Sequence, residues 1–171
     1  MHVIFSHGHL SSPQSRKIQV LAPLAERLGL TVEAIDYQDL RDDPVGRIER
    51  LVRHIDGLDT APILVGSSLG GLVSVAAAER HDVAGLFLLA PALYLEDRLP
   101  GGVVRERYTP RSARISVIHG WHDDIIPWRH SLQFAESLNV SLHLLDANHR
   151  LDGVLPVISR LFGDFLKTVS Q

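Results

Sequence analysis

The chain contains 171 residues, of which 45% are hydrophobic and 22% are charged, and it has a net charge of -3 with a sequence pI near 6.3. This composition is ordinary for one folded domain, so a single domain over residues 1–171 is predicted. A mildly acidic chain gives no reason to expect binding to nucleic acid or to an anionic membrane surface. Because the chain has no cysteine, a thiolate nucleophile, a disulfide framework and a cysteine-ligated zinc site are excluded.

The N-terminal segment from Met1 to Gly8 lacks the basic region and the apolar stretch of a signal peptide. The longest apolar run, Val83 to Leu95, contains Pro91 and is shorter than the roughly 20 residues needed to span a bilayer. These features predict a cytoplasmic protein without membrane association.

Short apolar runs alternate with longer amphipathic or alanine-rich stretches along the whole chain. This alternation predicts an α/β fold, with βαβ units around a mostly parallel sheet of about six strands. The predicted strands are His2 to Phe5, Thr31 to Ile35, Pro62 to Val65, Ala84 to Leu89, Ile115 to Ile118 and Ser141 to Leu145. The predicted helices are Ser15 to Leu28, Pro44 to Ile55, Leu69 to Arg80, Trp128 to Leu138 and Gly153 to Lys167.

The connection from Tyr94 to Arg111 has neither the helical nor the strand periodicity of apolar residues. Its glycines and prolines indicate a loop, and they are Pro100, Gly101, Gly102 and Pro110. Two interpretations stay open, a lid or binding loop and a plain surface loop. Mixed charge in this region is typical of a solvated surface, and the alternative is a loop that binds an anionic substrate such as an acyl-CoA. The arginines concerned are Arg98, Arg105, Arg107, Arg111 and Arg114.

The segment from Gly66 to Gly70 matches the pattern G-x-S-x-G, with Gly71 directly after it. It lies between a predicted strand and a predicted helix, where a nucleophile elbow needs a tight turn. Glycines two positions either side of the serine leave room for the strand and the helix to approach each other. The spacing therefore selects Ser68, and not Ser67, as the candidate nucleophile.

A serine nucleophile needs a neighbouring base, and the base needs a carboxylate to orient it. Asp123 and the competing Asp124 follow the strand predicted at Ile115 to Ile118, and His149 follows the last predicted strand. These loops lie at the carboxyl ends of strands, where open α/β sheets place their sites. The backbone N–H groups of Leu69 and of either His9 or Leu10 are the candidate donors to a developing oxyanion.

These motifs resemble those of the α/β-hydrolases throughout the chain. The segments from Ser6 to Pro13 and from Gly66 to Gly71 are similar to those of small bacterial esterases of the YqiA type. The resemblance implies a sheet order of 2-1-3-4-5-6, at most a minimal cap, and a triad of Ser68, Asp123 and His149.

The family spacing between Gly120 and Pro127 favours Asp123 over Asp124 as the triad carboxylate. The resemblance also implies hydrolysis of small acyl esters or thioesters, without a metal or other cofactor. We therefore expect a small-molecule substrate, and neither nucleic acid nor a membrane as a partner.

Two other functions fit parts of the sequence. A hydrolase-fold protein without activity would serve as a binding or regulatory module. A metal-dependent hydrolase would use histidines, because imidazole and carboxylate ligands suit zinc or iron. Its candidate ligands are His7, His9, His119, His122 and Asp123, although Ser11 and Ser12 stand where the familiar H-x-H-x-D-H pattern has Asp and His.

Overall fold

The computed structural model describes residues 1–99 and 102–170. Six strands and five α-helices alternate along them, with short 3₁₀ turns at Gln38–Leu40 and Asp152–Val154. The strands are β1 (His2–Ser6), β2 (Thr31–Ile35), β3 (Ile63–Ser67), β4 (Gly85–Leu89), β5 (Ile115–Gly120) and β6 (Ser141–Leu145). The helices are α1 (Arg16–Glu26), α2 (Pro44–Asp56), α3 (Leu69–Arg80), α4 (Trp128–Leu138) and α5 (Leu155–Val169).

All six strands belong to one parallel sheet in the order β2-β1-β3-β4-β5-β6, which confirms the predicted fold class and strand order. Neighbouring residues of a strand face opposite sides of the sheet. In β1, Ile4 packs into a core formed with α2, α3 and α4, whereas Val3 and Phe5 pack against α1 and α5. The sheet is thus covered by helices on both faces, as its apolar strands require.

Most predicted element boundaries agree with the structure, and the two terminal helices show the main shifts. Helix α1 begins after Ser15, which caps it, and ends before Gly29, whose φ of +74° favours glycine at a helix end. Helix α5 begins at Leu155 rather than at Gly153, because the 3₁₀ turn at Asp152–Val154 occupies the predicted start.

The segment between β4 and β5 has no helix or strand among its described residues, as predicted, and Pro100 and Gly101 lie outside those residues. Its side chains are nevertheless part of the core, since Leu93, Val103 and Tyr108 are buried. The Tyr94 and Tyr108 rings pack edge to face with their centroids 5.1 Å apart. This segment is therefore more than a solvated surface loop.

No helix within residues 1–99 and 102–170 has the length and apolar character required to cross a bilayer.

The close packing of β1, β3 and the start of α3 depends on glycine. A Cβ atom at Gly70 would overlap the Ser6 carbonyl oxygen and lie 2.7 Å from the His7 carbonyl oxygen. A Cβ atom at Gly66 would overlap the Gly70 carbonyl oxygen. Because these obstacles are backbone atoms, they cannot move away without shifting the strands.

Gly70→Ala should therefore lower the free energy of unfolding by about 1–3 kcal/mol, as overpacking does. Gly163→Ala is the matched control, because a Cβ atom there meets open space on α5 and alanine stabilises a helix interior by about 0.8–1.0 kcal/mol. Urea denaturation followed by circular dichroism measures both changes. Equal stability of the Gly70→Ala variant and the parent chain would contradict the proposed backbone clash.

Candidate active site

Ser68 occupies the turn between β3 and α3 in a strained conformation, with φ of 53° and ψ of -118°. The turn is fixed by two backbone hydrogen bonds to the segment after β4. The Ser68 N–H group donates to the Leu89 carbonyl at 2.9 Å, and the Ala92 N–H group donates to the Ser68 carbonyl at 3.0 Å. These contacts present the hydroxyl at the carboxyl edge of the sheet, as expected for a nucleophile elbow.

A continuous hydrogen-bonded chain joins the three side chains that the sequence selects. His149 Nε2 lies 3.0 Å from Ser68 Oγ, and His149 Nδ1 lies 2.7 Å from Asp123 Oδ2. The Asp123 side chain is fully buried, whereas that of His149 is 20% exposed. The structure thus brings together residues that lie 81 and 26 positions apart in the sequence.

The surroundings of Asp123 keep its carboxylate charged. Burial acts to raise the pKa of the Asp123 carboxyl, but hydrogen bonds from His119, His149 and the backbone outweigh burial and hold that pKa well below its usual range. Oδ1 accepts the N–H groups of Ile125 and Ile126 at 2.9 and 2.8 Å. Oδ2 lies between the two imidazoles, 2.7 Å from His149 and 2.9 Å from His119.

An ionised carboxylate only accepts hydrogen bonds, so His149 Nδ1 carries the proton of this contact. In the neutral imidazole the lone pair then belongs to Nε2, which faces Ser68 Oγ. The imidazole is therefore oriented to accept the serine proton.

The two adjacent aspartates have different environments. Asp123 has four hydrogen-bond partners, whereas Asp124 is exposed. Asp124 does not cap α4, because the residue at the N-cap position is Pro127 and no side chain accepts a hydrogen bond there. Asp124 therefore faces solvent.

The loop after β1 lies against the elbow. Gly8 is close enough that a Cβ atom there would be 3.6 Å from Ser68 Cβ. Leu69 is the first residue of α3, so its N–H group has no acceptor within the helix. His9 and Leu10 both line the cavity that contains Ser68, with Leu10 77% exposed and His9 Nε2 bonded to Asp42 at 2.6 Å.

Arg47 of α2 is fully buried beneath this loop and was not singled out from the sequence. Its five N–H donors have five carbonyl acceptors at distances of 2.8 to 3.3 Å. Burial lowers the pKa of the guanidinium. The sequence does hold a signal for the burial of Arg47, since this residue lies between Pro44 and Leu51 on the apolar stripe of an amphipathic helix. The accepting carbonyls belong to His7, Gly8, His9, Leu40 and Arg41.

Two cavities meet at Ser68. The larger has a volume of about 670 Å³ and contains the exposed edge of His149. The smaller, of about 310 Å³, has mainly apolar walls that include Leu95 and Leu99 of the segment after β4. His9, Ser68 and Ile125 line both cavities. A substrate bound across Ser68 would therefore meet a different environment on each side.

The histidines considered as metal ligands have other partners. His7 Nδ1 lies 2.8 Å from the Gly8 carbonyl and Nε2 accepts the Tyr37 N–H group, whereas His122 pairs with Asp146 on the surface. His119 is bonded to Ser131 at 2.7 Å as well as to Asp123. Within the described ranges 1–99 and 102–170, no three His, Asp or Glu side chains are arranged to hold a metal ion.

The arginines of the segment after β4 do not form one cluster. Arg98 lines the smaller cavity and donates to the Ile125 carbonyl at 2.8 Å. Arg105 lies 3.8 Å from Glu79. The other three, Arg107, Arg111 and Arg114, are exposed.

The parallel sheet, the strained serine turn and the Ser–His–Asp chain define an α/β-hydrolase. The profile of the family described as "Uncharacterised protein family (UPF0227)" matches residues 2–111. The chain belongs to this family, which confirms the expected resemblance to the YqiA type.

Solved structures support the same assignment. A protein from Xanthomonas campestris pv. campestris, assigned to the alpha/beta superfamily of hydrolases, is 32% identical, with 98% of each chain covered and a TM-score of 0.84. Alpha/beta hydrolase domain-containing protein 10 from mouse shares the fold at 23% identity, with a TM-score of 0.81 over 98% of this chain and 90% of the mouse chain.

A curated relative is the mitochondrial palmitoyl-protein thioesterase ABHD10 of Bos taurus, which is 26% identical over 186 residues. The match includes 78% of this chain and spans 60% of the length of the bovine protein.

Proposed function

We propose that this chain is a serine hydrolase that cleaves acyl esters or thioesters of small molecules through an acyl-enzyme. The hydrogen-bonded chain from Ser68 Oγ through His149 to Asp123, with distances of 3.0 and 2.7 Å, is the observation that supports this most. A reactive carboxyl derivative is the natural target of an activated serine.

In the proposed reaction, Ser68 Oγ forms a bond to the acyl carbon while His149 Nε2 takes the serine proton. The negative charge that develops on the acyl oxygen is stabilised by the N–H groups of Leu69 and of His9 or Leu10. His149 then donates its proton to the leaving oxygen or sulfur as the acyl–leaving-group bond breaks. Water, deprotonated by His149, then attacks the acyl carbon of the acyl-enzyme. The bond between Ser68 Oγ and the acyl carbon breaks, His149 returns the proton to Ser68 Oγ, and the acid is released. No metal or other cofactor takes part.

The position of His149 assigns the two cavities within this proposal. The group that receives the proton from His149 must lie on the His149 side, so the leaving alcohol or thiol occupies the larger cavity. The acyl group then occupies the apolar cavity of about 310 Å³ beside Leu69. A cavity of this size favours short or slender acyl chains. The thioesterase name of the bovine relative supports including thioesters among the substrates.

Ser68→Ala should abolish covalent labelling by a fluorophosphonate and hydrolysis of a short-chain ester, because the variant lacks the nucleophile. Ser67→Ala is the matched control and should keep both. Intact-mass and peptide mass spectrometry locate the label, and circular dichroism checks the fold. Absence of labelling in the parent chain would favour a silent binding module. Chelator-sensitive hydrolysis that persists in Ser68→Ala would favour the metal-dependent alternative.

Asp123→Asn should lower kcat by about 10⁴-fold, since the amide can hold His149 in the wrong tautomer. Asp124→Asn is the control at the neighbouring position, and its kcat should stay within about threefold of the parent value because its carboxylate is exposed. Steady-state kinetics on one short-chain ester measures both. A dead Asp124 variant beside an active Asp123 variant would refute the assigned carboxylate and leave the serine assignment standing.

A further inference from the structure

The charges around the larger cavity differ in sign from the charge of the chain as a whole. The chain has a net charge of -3, yet three cationic side chains and one carboxylate line this cavity. The cations are Arg16, Lys17 and Arg150, and the carboxylate is Asp152. A cavity with an excess of positive charge attracts an anionic ligand.

Arg16 and Arg150 are exposed, and Lys17 is the least exposed of the three cations. Its side chain is partly buried, and within residues 1–99 and 102–170 no carboxylate lies within 4 Å of its ammonium group. Asp152 is near enough to act on Lys17, but it lies 3.4 Å from Arg150 Nε. Burial lowers the pKa of the Lys17 ammonium, with Asp152 opposing and Arg150 adding to this effect. An anionic group of a ligand would supply the missing partner.

We propose that Lys17, with Arg16 and Arg150, binds a carboxylate or phosphate on the leaving group of the substrate. This inference rests on the proposed hydrolase function, which places the leaving group in the cavity that contains His149. The substrate class is then an ester or thioester of a compact acyl group with an anionic alcohol or thiol. The cations are expected to contribute mainly to binding, because the hydrogen-bonded chain from Ser68 through His149 to Asp123 includes none of them.

The test compares butyryl esters of phenols that differ in charge. 4-Carboxyphenyl and 4-(phosphonomethyl)phenyl butyrate are the anionic probes, and 4-carbamoylphenyl butyrate is the neutral one. The parent chain should prefer an anionic ester by about tenfold in kcat/KM, as expected for one charge-assisted hydrogen bond. The anionic ester with the higher kcat/KM shows whether a carboxylate or a phosphate-like group is preferred.

Lys17→Gln should reduce this preference to near unity, chiefly through KM. Lys167→Gln is the matched control, because Lys167 is exposed on α5 and pairs with Asp164, and it should keep the preference. Equal kcat/KM of the parent chain on anionic and neutral esters would overturn the anion site. So would an undiminished preference in Lys17→Gln. The neutral ester tests the function separately, because its hydrolysis by the parent chain and not by Ser68→Ala upholds the serine hydrolase in either case.

A second inference rests on Arg47. In a trans peptide unit the C=O and N–H groups point in opposite directions. Arg47 holds the carbonyls of Gly8 and His9, so the N–H groups of the same two peptide units, those of His9 and Leu10, point away from the guanidinium. We infer that Arg47 is a positioning residue that directs these N–H groups toward the oxyanion formed at Ser68.

A lysine at this position has three donors in place of five and cannot hold all the carbonyls. Arg47→Lys should lower kcat by about 10²–10³-fold, the effect of losing one oxyanion donor, while KM changes less than threefold. Arg50→Lys is the control on the same helix, because Arg50 is bonded to Asp36 and Asp39 outside the site, and it should keep kcat.

Thermal denaturation measures the folded fraction of each variant, so a loss of kcat through unfolding can be told apart from a loss of positioning in the folded protein. Arg47→Gly should also regain kcat with added guanidinium ion and not with methylammonium, since only the planar ion reproduces the forked donors. If Arg47→Lys folded with a normal kcat, or if its kcat fell only in proportion to the folded fraction, positioning would be refuted. If neither variant folded, Arg47→Gly would be refolded in the presence of guanidinium ion and its rate of ester hydrolysis measured. A refolded variant without hydrolysis would count against the inference.

Discussion

The contact between the start of α3 and the end of β1 is the constraint on which the site depends. Gly70 lies directly against the backbone of Ser6 and His7, without space for a side chain. This contact places the N-terminus of α3 beside the loop after β1, and thus Leu69 near His9. One steric requirement therefore brings the candidate nucleophile and both candidate oxyanion donors into the same volume.

Two charged side chains near the elbow, those of Asp123 and Arg47, are fully buried, and both have their hydrogen-bonding capacity used. Asp123 receives two imidazoles and two backbone N–H groups, and Arg47 gives all five donors to carbonyls. Unsatisfied burial of either charge would be very costly. Full satisfaction makes both groups rigid, which suits a site that must hold a fixed geometry.

The fold could be predicted almost completely because its central strands are apolar on both sides and turn residues such as glycine and proline separate its elements. The nucleophile could be predicted because the steric demands of the elbow leave a glycine signature. Arg47 could not be assigned in the same way, since its partners are backbone carbonyls, which any residue type supplies. The hydrogen bond from His119 to Asp123 also escaped prediction, because it requires knowing how the loop after β5 turns back on the strand.

The cavities were beyond sequence reasoning for a related reason. The arginines after β4 are close together in the chain, yet the structure separates their side chains. Lys17 and Arg150 are 133 positions apart, and they meet because α1 and the loop after β6 lie at the same edge of the sheet. The sheet order thus brings together two pairs of charged residues, Arg16 with Lys17 and Arg150 with Asp152, that are far apart in the sequence.

The second imidazole on Asp123 also bears on the stability of the fold. In a site where the catalytic histidine is the only partner of a buried carboxylate, loss of that histidine exposes the fold to an uncompensated charge. Here His119 remains bonded to Asp123 from the core side, independently of His149. The loop after β5 therefore keeps a side-chain partner for its buried carboxylate that does not depend on His149. The contact that holds this carboxylate within the fold is thus separate from the contact that faces the candidate nucleophile.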